Sequence, residues 1–409
     1  MNGWRAVGAA LAALLLAGLP IPVHASAQPD EVPCPVADID PPDRPTPPEP
    51  PAHRPGDREV GGERLATAGL VVPAGAPEVP GDQLSATSWL VADLDTGEVL
   101  GGCGPHEYGI PASTLKLLLA AALLDELDPD EKVEVIREDL DFEPGSSAVG
   151  LVVGGEYTIE TLWLGLLLNS GNDAANVLAR LGGGDERWAG GVRLMNEHAE
   201  WLGANQTHAA TPSGLDGPGQ FTSAYDLALI ARELWDREDF LRYITTERTN
   251  IPAQPHADAP GFQIQNQNDL LFNYEGALGG KTGYTDLARH SFVGAAERDG
   301  RRLVVTLLGA EVQPVRSWQQ AAALLDWGFE VPRGESVGRL VEPGELLELA
   351  AAASAPPTEA ALASPQPSPP VAAATGDRPV DAVLVGTAVL VVGGIGLMAV
   401  AVATRRRRA

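Results

Sequence analysis

The stretch Pro111-Ala112-Ser113-Thr114-Leu115-Lys116-Leu117-Leu118-Leu119 decides how the chain is read. From Ser113 to Leu127 nearly every residue is apolar and a good helix former, so the pattern predicts a buried helix just after Pro111. A hydroxyl and an amine stand at its start, at i and i+3, which puts Ser113 and Lys116 on one helical face. Backbone N–H groups at a helix N-terminus favour a developing oxyanion at Ser113. A lysine wrapped in leucine loses solvent, and desolvation lowers its pKa until it can serve as a base. Lysine is otherwise avoided: the chain has 25 arginines and three lysines, Lys116, Lys132 and Lys281. Arginine cannot be deprotonated, so a lysine-poor composition keeps lysine where a titratable amine is required.

Working outward, Ser88 to Asp93 reads as a strand that turns at Asp95-Thr96-Gly97 into Glu98 to Leu100, a hairpin signal. Helical patterns follow at 158–168, 173–181, 188–202 and 223–236. Then Leu278 to Gly283, Ser291 to Glu297 and Arg302 to Ala310 read as three successive strands, the last two joined at Arg298-Asp299-Gly300. A helix from Val315 to Phe329 closes the region. Strands at both sequence ends around a helical middle predict an α+β body over 60–350. It would hold one antiparallel sheet flanked by helices, with a helical subdomain inserted.

Two short stretches add chemistry. Ser170-Gly171-Asn172, between two helical patterns, offers a second hydroxyl for proton relay and an amide for a peptide group. Lys281-Thr282-Gly283 follows Gly279-Gly280 on an expected edge strand, where flanking glycines let a peptide add as an extra strand. Lys281 and Thr282 would present a cation and a hydroxyl to an anion. Each stretch alone is an ordinary helix cap, turn or strand end. In this order, Ser-x-x-Lys, Ser-x-Asn and Lys-Thr-Gly define the penicillin-recognising serine acyl enzymes.

Over about residues 84–330 the chain resembles the low-molecular-mass penicillin-binding proteins that are D-alanyl-D-alanine carboxypeptidases (serine peptidase family S11), with their β-lactamase/transpeptidase-like fold. Ser170-Gly171-Asn172-Asp173-Ala174, Gly214-Leu215-Asp216 with Pro218-Gly219-Gln220, and Gly280 to Thr285 extend the resemblance. It implies that Ser113 attacks the bond between two D-alanines while Lys116 takes its proton, and that Ser170 helps return a proton to the leaving D-alanine. Asn172 would bind the peptide amide, Lys281, Thr282 and Arg316 would orient the terminal carboxylate, and Gly283 would belong to the same substrate strand. The N–H groups of Ser113 and Tyr284 would form the oxyanion hole. No metal or cofactor is implied, and β-lactams should acylate Ser113 and stay. The resemblance also leaves open a β-lactamase, although no Glu-x-x-x-Asn pattern occurs in 177–220. An endopeptidase or transpeptidase of the same fold, or a non-catalytic wall-associated scaffold, are further alternatives.

The ends speak to compartment. Residues 1–27 read as a signal peptide, with Arg5, an apolar run from Ala6 to Leu19, and Ala25-Ser26-Ala27 for cleavage. Ala382 to Ala403 is 22 uncharged residues, enough to cross a bilayer, and the basic tail 404–409 should stay cytoplasmic. The catalytic body would thus lie outside the cell, tethered to the cell membrane. Residues 28–59 are rich in proline and acid and should be extended and solvated, and 351–379 read as an Ala/Pro-rich linker. Cys34 and Cys103 would either form one bridge tying the tail to the body or remain free thiols. A net charge of −27 argues against nucleic acid, and seven histidines with no i, i+4 pair argue against a zincin-type site.

Overall fold

The computed structural model describes residues 31–354. Its centre is a seven-stranded sheet, every neighbouring pair antiparallel, built from both sequence ends. The N-terminal half supplies β1 (Leu70–Val71), β2 (Ser88–Asp93) and β3 (Glu98–Cys103). Two small two-stranded sheets lie outside it: β4 (Lys132–Glu134) with β5 (Glu156–Thr158), and β6 (Arg248–Ile251) with β7 (Phe262–Gln265). The C-terminal half adds β8 (Ala277–Thr285), β9 (Arg289–Arg298), β10 (Arg301–Ala310) and the short β11 (Gly338–Arg339). Strand order is β1-β3-β2-β10-β9-β8, with β11 also paired to β3, so the strand carrying Lys281 is an edge as expected.

Both faces of this sheet are covered, which is why β2 is buried along its whole length rather than alternating. Trp89 and Val91 point into one core with Phe292, Leu303 and Val305, while Leu90 and Ala92 point into the other. The first core is closed by α8 (Ser317–Glu330), whose Leu324 and Leu325 are fully buried; each contributes roughly 1.5–3 kcal/mol by leaving water. The second core holds α1 (Lys116–Leu123), α2 (Ile159–Leu168), α3 (Asn172–Gly182), α4 (Arg187–Leu202), α5 (Ala224–Trp235) and α6 (Glu238–Ile244). Two further helices are α7 (Asp269–Asn273), before β8, and α9 (Glu345–Ser354). The four middle helices fall where the 3.6-residue pattern puts them, and β2, β3, β8, β9 and β10 fall on the five expected strands.

Some boundaries differ. The helix expected over Ser113–Leu127 begins as a 3-10 turn at Ala112–Leu115 and is α only to Leu123. Exposed Asp125 follows, then Asp128 before Pro129, a pair that disfavours helix. The expected linker from 351 starts later, since Ala351 to Ser354 complete α9, as strong helix-forming alanine allows. Segment 28–59 is extended and solvated in its middle and docked towards its ends. Residues 31–54 carry neither helix nor strand and 40–52 are exposed, yet the segment is fastened at both ends. Cys34 and Cys103 are disulfide-bonded with Cα atoms 5.7 Å apart, and the Ala37 N–H donates to Leu84 O at 2.7 Å. Farther on, the His53 ring stacks on Tyr108 at 4.6 Å and Asp57 is buried. Proline and acid rule out a core of its own, but they do not prevent docking on one. The expected signal peptide 1–27 and the expected span 382–403 lie outside the described residues, among which no helix is long and apolar enough to cross a membrane.

Candidate active site

The three motifs meet in one cleft of about 530 Å³ at the β8 edge, lined by Ser113, Ser170, Asn172, Thr282, Gly283, Tyr284 and Arg316 among others. Each arrives on a different element. Ser113 sits on the 3-10 turn ahead of α1, Ser170 and Asn172 at the turn between α2 and α3, and Lys281 to Tyr284 on β8. Two of these turns are held in left-handed backbone by non-glycine residues, Ala112 at φ 47° and Ser170 at φ 59°. Such conformations cost about 1–3 kcal/mol and persist only where the surroundings over-determine them. The surroundings at Ala112 are tight. A Cβ at Gly214 would overlap the Ala112 carbonyl, and one at Gly283 would stand 2.9 Å from Ser113 N and 3.1 Å from Ala112 Cβ. Ser291 Oγ donates to Pro111 O at 2.5 Å, so β9 also fixes the turn.

Lys116 is completely buried, with Nζ 2.8 Å from Ser113 Oγ, 2.7 Å from Asn172 Oδ1 and 2.6 Å from Ser213 O. Burial pushes its pKa well below the ordinary lysine value, and the Lys281 ammonium pushes it the same way, against the opposing Asp173 carboxylate. An uncharged amine has two protons and one lone pair. Asn172 Oδ1 and Ser213 O can only accept, so they take the protons, and the lone pair is left facing Ser113 Oγ. The hydroxyl then donates to the amine, which is the arrangement a serine nucleophile needs.

Lys281 is 2% exposed; its Nζ donates to Ser170 Oγ at 2.9 Å and to Thr282 O at 2.8 Å. Burial lowers its pKa to about 7. Its Nζ stands behind Ser170, and the cleft itself is lined by Thr282 and Arg316. Arg316 is exposed and lies 3.6 Å from Asp269 across the cleft mouth. Asn172 lines the cleft and is held at both ends. Its amide is engaged by Lys116 at one end and by Ser146 at the other, at 2.9 Å, so only one of its N–H groups is left for a ligand. Tyr284 is half-exposed, its hydroxyl donating to Asp286 at 3.0 Å.

The flanking glycines serve packing rather than substrate clearance. Gly279 has φ 91° at a bulge in β8, and a Cβ at Gly280 would meet Asn268 Nδ2 at 2.8 Å. Gly283 is the one that admits the nucleophile's backbone. Sequence reading missed Ser213 and Ser146 and gave Asp173 no role of its own. Ser213 directly precedes the recognised Gly214-Leu215-Asp216. Asp173 adjoins Ser170-Gly171-Asn172, and its buried carboxylate accepts from the N–H groups of Val149, Gly150 and Leu151 at 2.9–3.0 Å. Nothing in the sequence around Ser146 marks it.

An α+β sheet whose edge strand brings a lysine-threonine-glycine run to a cleft-facing serine paired with a buried lysine defines the class of penicillin-recognising serine acyl enzymes. The profile of the D-alanyl-D-alanine carboxypeptidases (Peptidase_S11) matches residues 74–312, and the chain belongs to that family. It is 45% identical over 278 residues to D-alanyl-D-alanine carboxypeptidase DacB2 of Mycobacterium tuberculosis, covering 66% of this chain and 90% of that protein. Against DacD of Escherichia coli it is 32% identical, covering 64% and 69%. The crystal structure of D-alanyl-D-alanine carboxypeptidase from M. tuberculosis superposes with a TM-score of 0.61 at 44% identity, covering 66% of this chain and all of that one. A Streptomyces DD-transpeptidase superposes with a TM-score of 0.57 at 27% identity, covering 63% and 99%.

Proposed function

We propose that the protein is a serine DD-carboxypeptidase that removes the terminal D-alanine from peptidoglycan pentapeptide stems and so limits cross-linking. The observation that carries this is Lys116, buried and hydrogen-bonded to two carbonyl oxygens so that its lone pair faces Ser113. Lys116 takes the Ser113 proton as Oγ attacks the penultimate D-alanine carbonyl. The bond to the leaving nitrogen then breaks, and that nitrogen takes a proton from Ser170, which Lys281 replenishes. Lys116 then gives up the Ser113 proton, which restores the one Lys281 supplied. In its neutral form it accepts a proton from the water that hydrolyses the acyl-enzyme and hands it to Ser113 Oγ as the acyl group leaves. General acid–base assistance of this kind contributes typically about 10²–10⁴-fold. The N–H groups of Ser113 and Tyr284 would bind the oxyanion, and Thr282 and Arg316 the terminal carboxylate. β-Lactams, which present the same carboxylate and carbonyl, would acylate Ser113.

D-Alanine release from diacetyl-Lys-D-Ala-D-Ala tests the reading. The wild type should release it and Ser113→Ala should not; release by Ser113→Ala would refute the assignment.

The catalytic body works outside the cell in this proposal, exported by residues 1–27 and tethered by the uncharged run 382–403 with its basic tail. The disulfide between Cys34 and Cys103 supports an oxidising compartment. Fluorescent penicillin should label the protein in the membrane fraction, and a chain ending at residue 354 should be labelled in the medium. Label in the membrane fraction from the shortened chain would overturn the tether.

A further inference from the structure

A loop with no recognised motif touches the catalytic network at one hydroxyl. Ser146 Oγ lies 2.6 Å from the Glu143 carbonyl and 2.9 Å from Asn172 Nδ2. A carbonyl oxygen can only accept, so Ser146 must donate its single proton to Glu143 O. Its lone pairs then accept from Asn172, which turns the nitrogen end of that amide toward Ser146 and the oxygen end toward Lys116, 2.7 Å away. The direction of every bond from Glu143 O to Lys116 thus follows from one backbone carbonyl. The loop is itself fastened: Asp173 accepts from Val149, Gly150 and Leu151, and Ser147 O accepts from the Asn172 N–H at 2.9 Å.

We propose that Ser146 is a positioning residue of the reaction, setting which end of the Asn172 amide faces Lys116 and so keeping the Lys116 lone pair aimed at Ser113. The inference rests on Lys116 as the base. Among the described residues, the Ser146 hydroxyl is the one hydrogen-bond partner of the amide nitrogen. A reversed amide would place Nδ2 against Lys116, where it would donate into the lone pair and occupy it. The same reversal removes an acceptor from the ammonium form, so the charged state is disfavoured as the base is blocked.

Two variants of the full chain, Ser146→Ala and Ser146→Thr, test this. Both kcat/KM for D-alanine release and the rate of acylation by a fluorescent penicillin are followed across about pH 5 to 10. Ser146→Ala should lower the plateau about tenfold or more and move the acid limb to lower pH. Ser146→Thr, which keeps the hydroxyl, should stay near wild type in both. A lower plateau with the acid limb unmoved would mean the loop had only loosened, and overturns the proposal. So does an unchanged Ser146→Ala, or a Ser146→Thr that fails equally. A wild type that neither releases D-alanine nor takes the label would instead overturn the reading of the site itself.

Discussion

At the scale of the residue, the site turns on two lysines buried without a carboxylate in direct contact, and their titration should be visible in the rate. Lys116 must lose its proton to act, and Lys281, lowered to about 7, should be charged to resupply Ser170. The kcat/KM profile should therefore rise as Lys116 deprotonates and fall as Lys281 does. The two limbs belong to the pair, since the lysines interact. Lys281→Gln removes the like charge beside Lys116, raises its pKa, and should shift the acid limb to higher pH while lowering the plateau. An acid limb that stayed in place would show that Lys281 does not act on Lys116. The Ser113–Lys116 spacing was legible because i, i+3 on a helix is a geometric statement. The direction of the Asn172 amide was not legible, because it depends on Ser146, which arrives from a loop elsewhere in the chain.

At the scale of the element, the contact between β8 and the turn before α1 decides whether nucleophile and strand share a cleft. Gly283→Ala would place a methyl in overlap with Ser291 Oγ and within 3.1 Å of Ala112 Cβ. Penicillin acylation should fall by about 100-fold or more, in line with what small misplacements of reacting groups cost. Acylation near the wild-type rate would mean the strand does not need to lie so close. The strands β8 to β10 were readable from sequence because their apolar runs are long and punctuated by Arg298-Asp299-Gly300. The two-stranded sheets β4–β5 and β6–β7 were not. Strands of three or four residues with exposed charged or polar positions carry too little pattern, and only packing against the helices creates them.

At the scale of the whole molecule, the N-terminal segment is part of the folded body, fastened near both of its ends. The cysteines are 69 residues apart, and closing a loop of that size stabilises by up to ~4 kcal/mol in the chain-entropy account. Replacing both Cys34 and Cys103 by Ser should therefore lower thermal stability; an unchanged melting temperature would show that the bridge adds nothing. Just beyond, His106 is buried with Nε2 3.0 Å from Val60 O and Nδ1 3.1 Å from Gln206 Oε1. Burial lowers its pKa from 6.5 to about 4. The folded state thus favours neutral imidazole, and its contribution is intact above pH 6.5 and lost as pH falls through about 4. The full difference is about 3 kcal/mol. Urea unfolding at pH 7 and at pH 4 should show it, and His106→Gln should flatten that slope; an equal slope in the variant would refute the role of His106. Two cysteines in a chain expected to be exported suggested a bridge, but docking of a proline-rich tail could not be read from composition, since His53 and Tyr108 are 55 positions apart.

Acylation of Ser113 by a fluorescent penicillin, timed at neutral pH in the wild type and in Lys116→Arg, tests the uncharged amine most directly. The arginine keeps the position cationic but cannot give up a proton. The wild type should be labelled at Ser113, and Lys116→Arg should be labelled about 10³-fold more slowly or not at all. Labelling of Lys116→Arg at close to the wild-type rate would contradict the account.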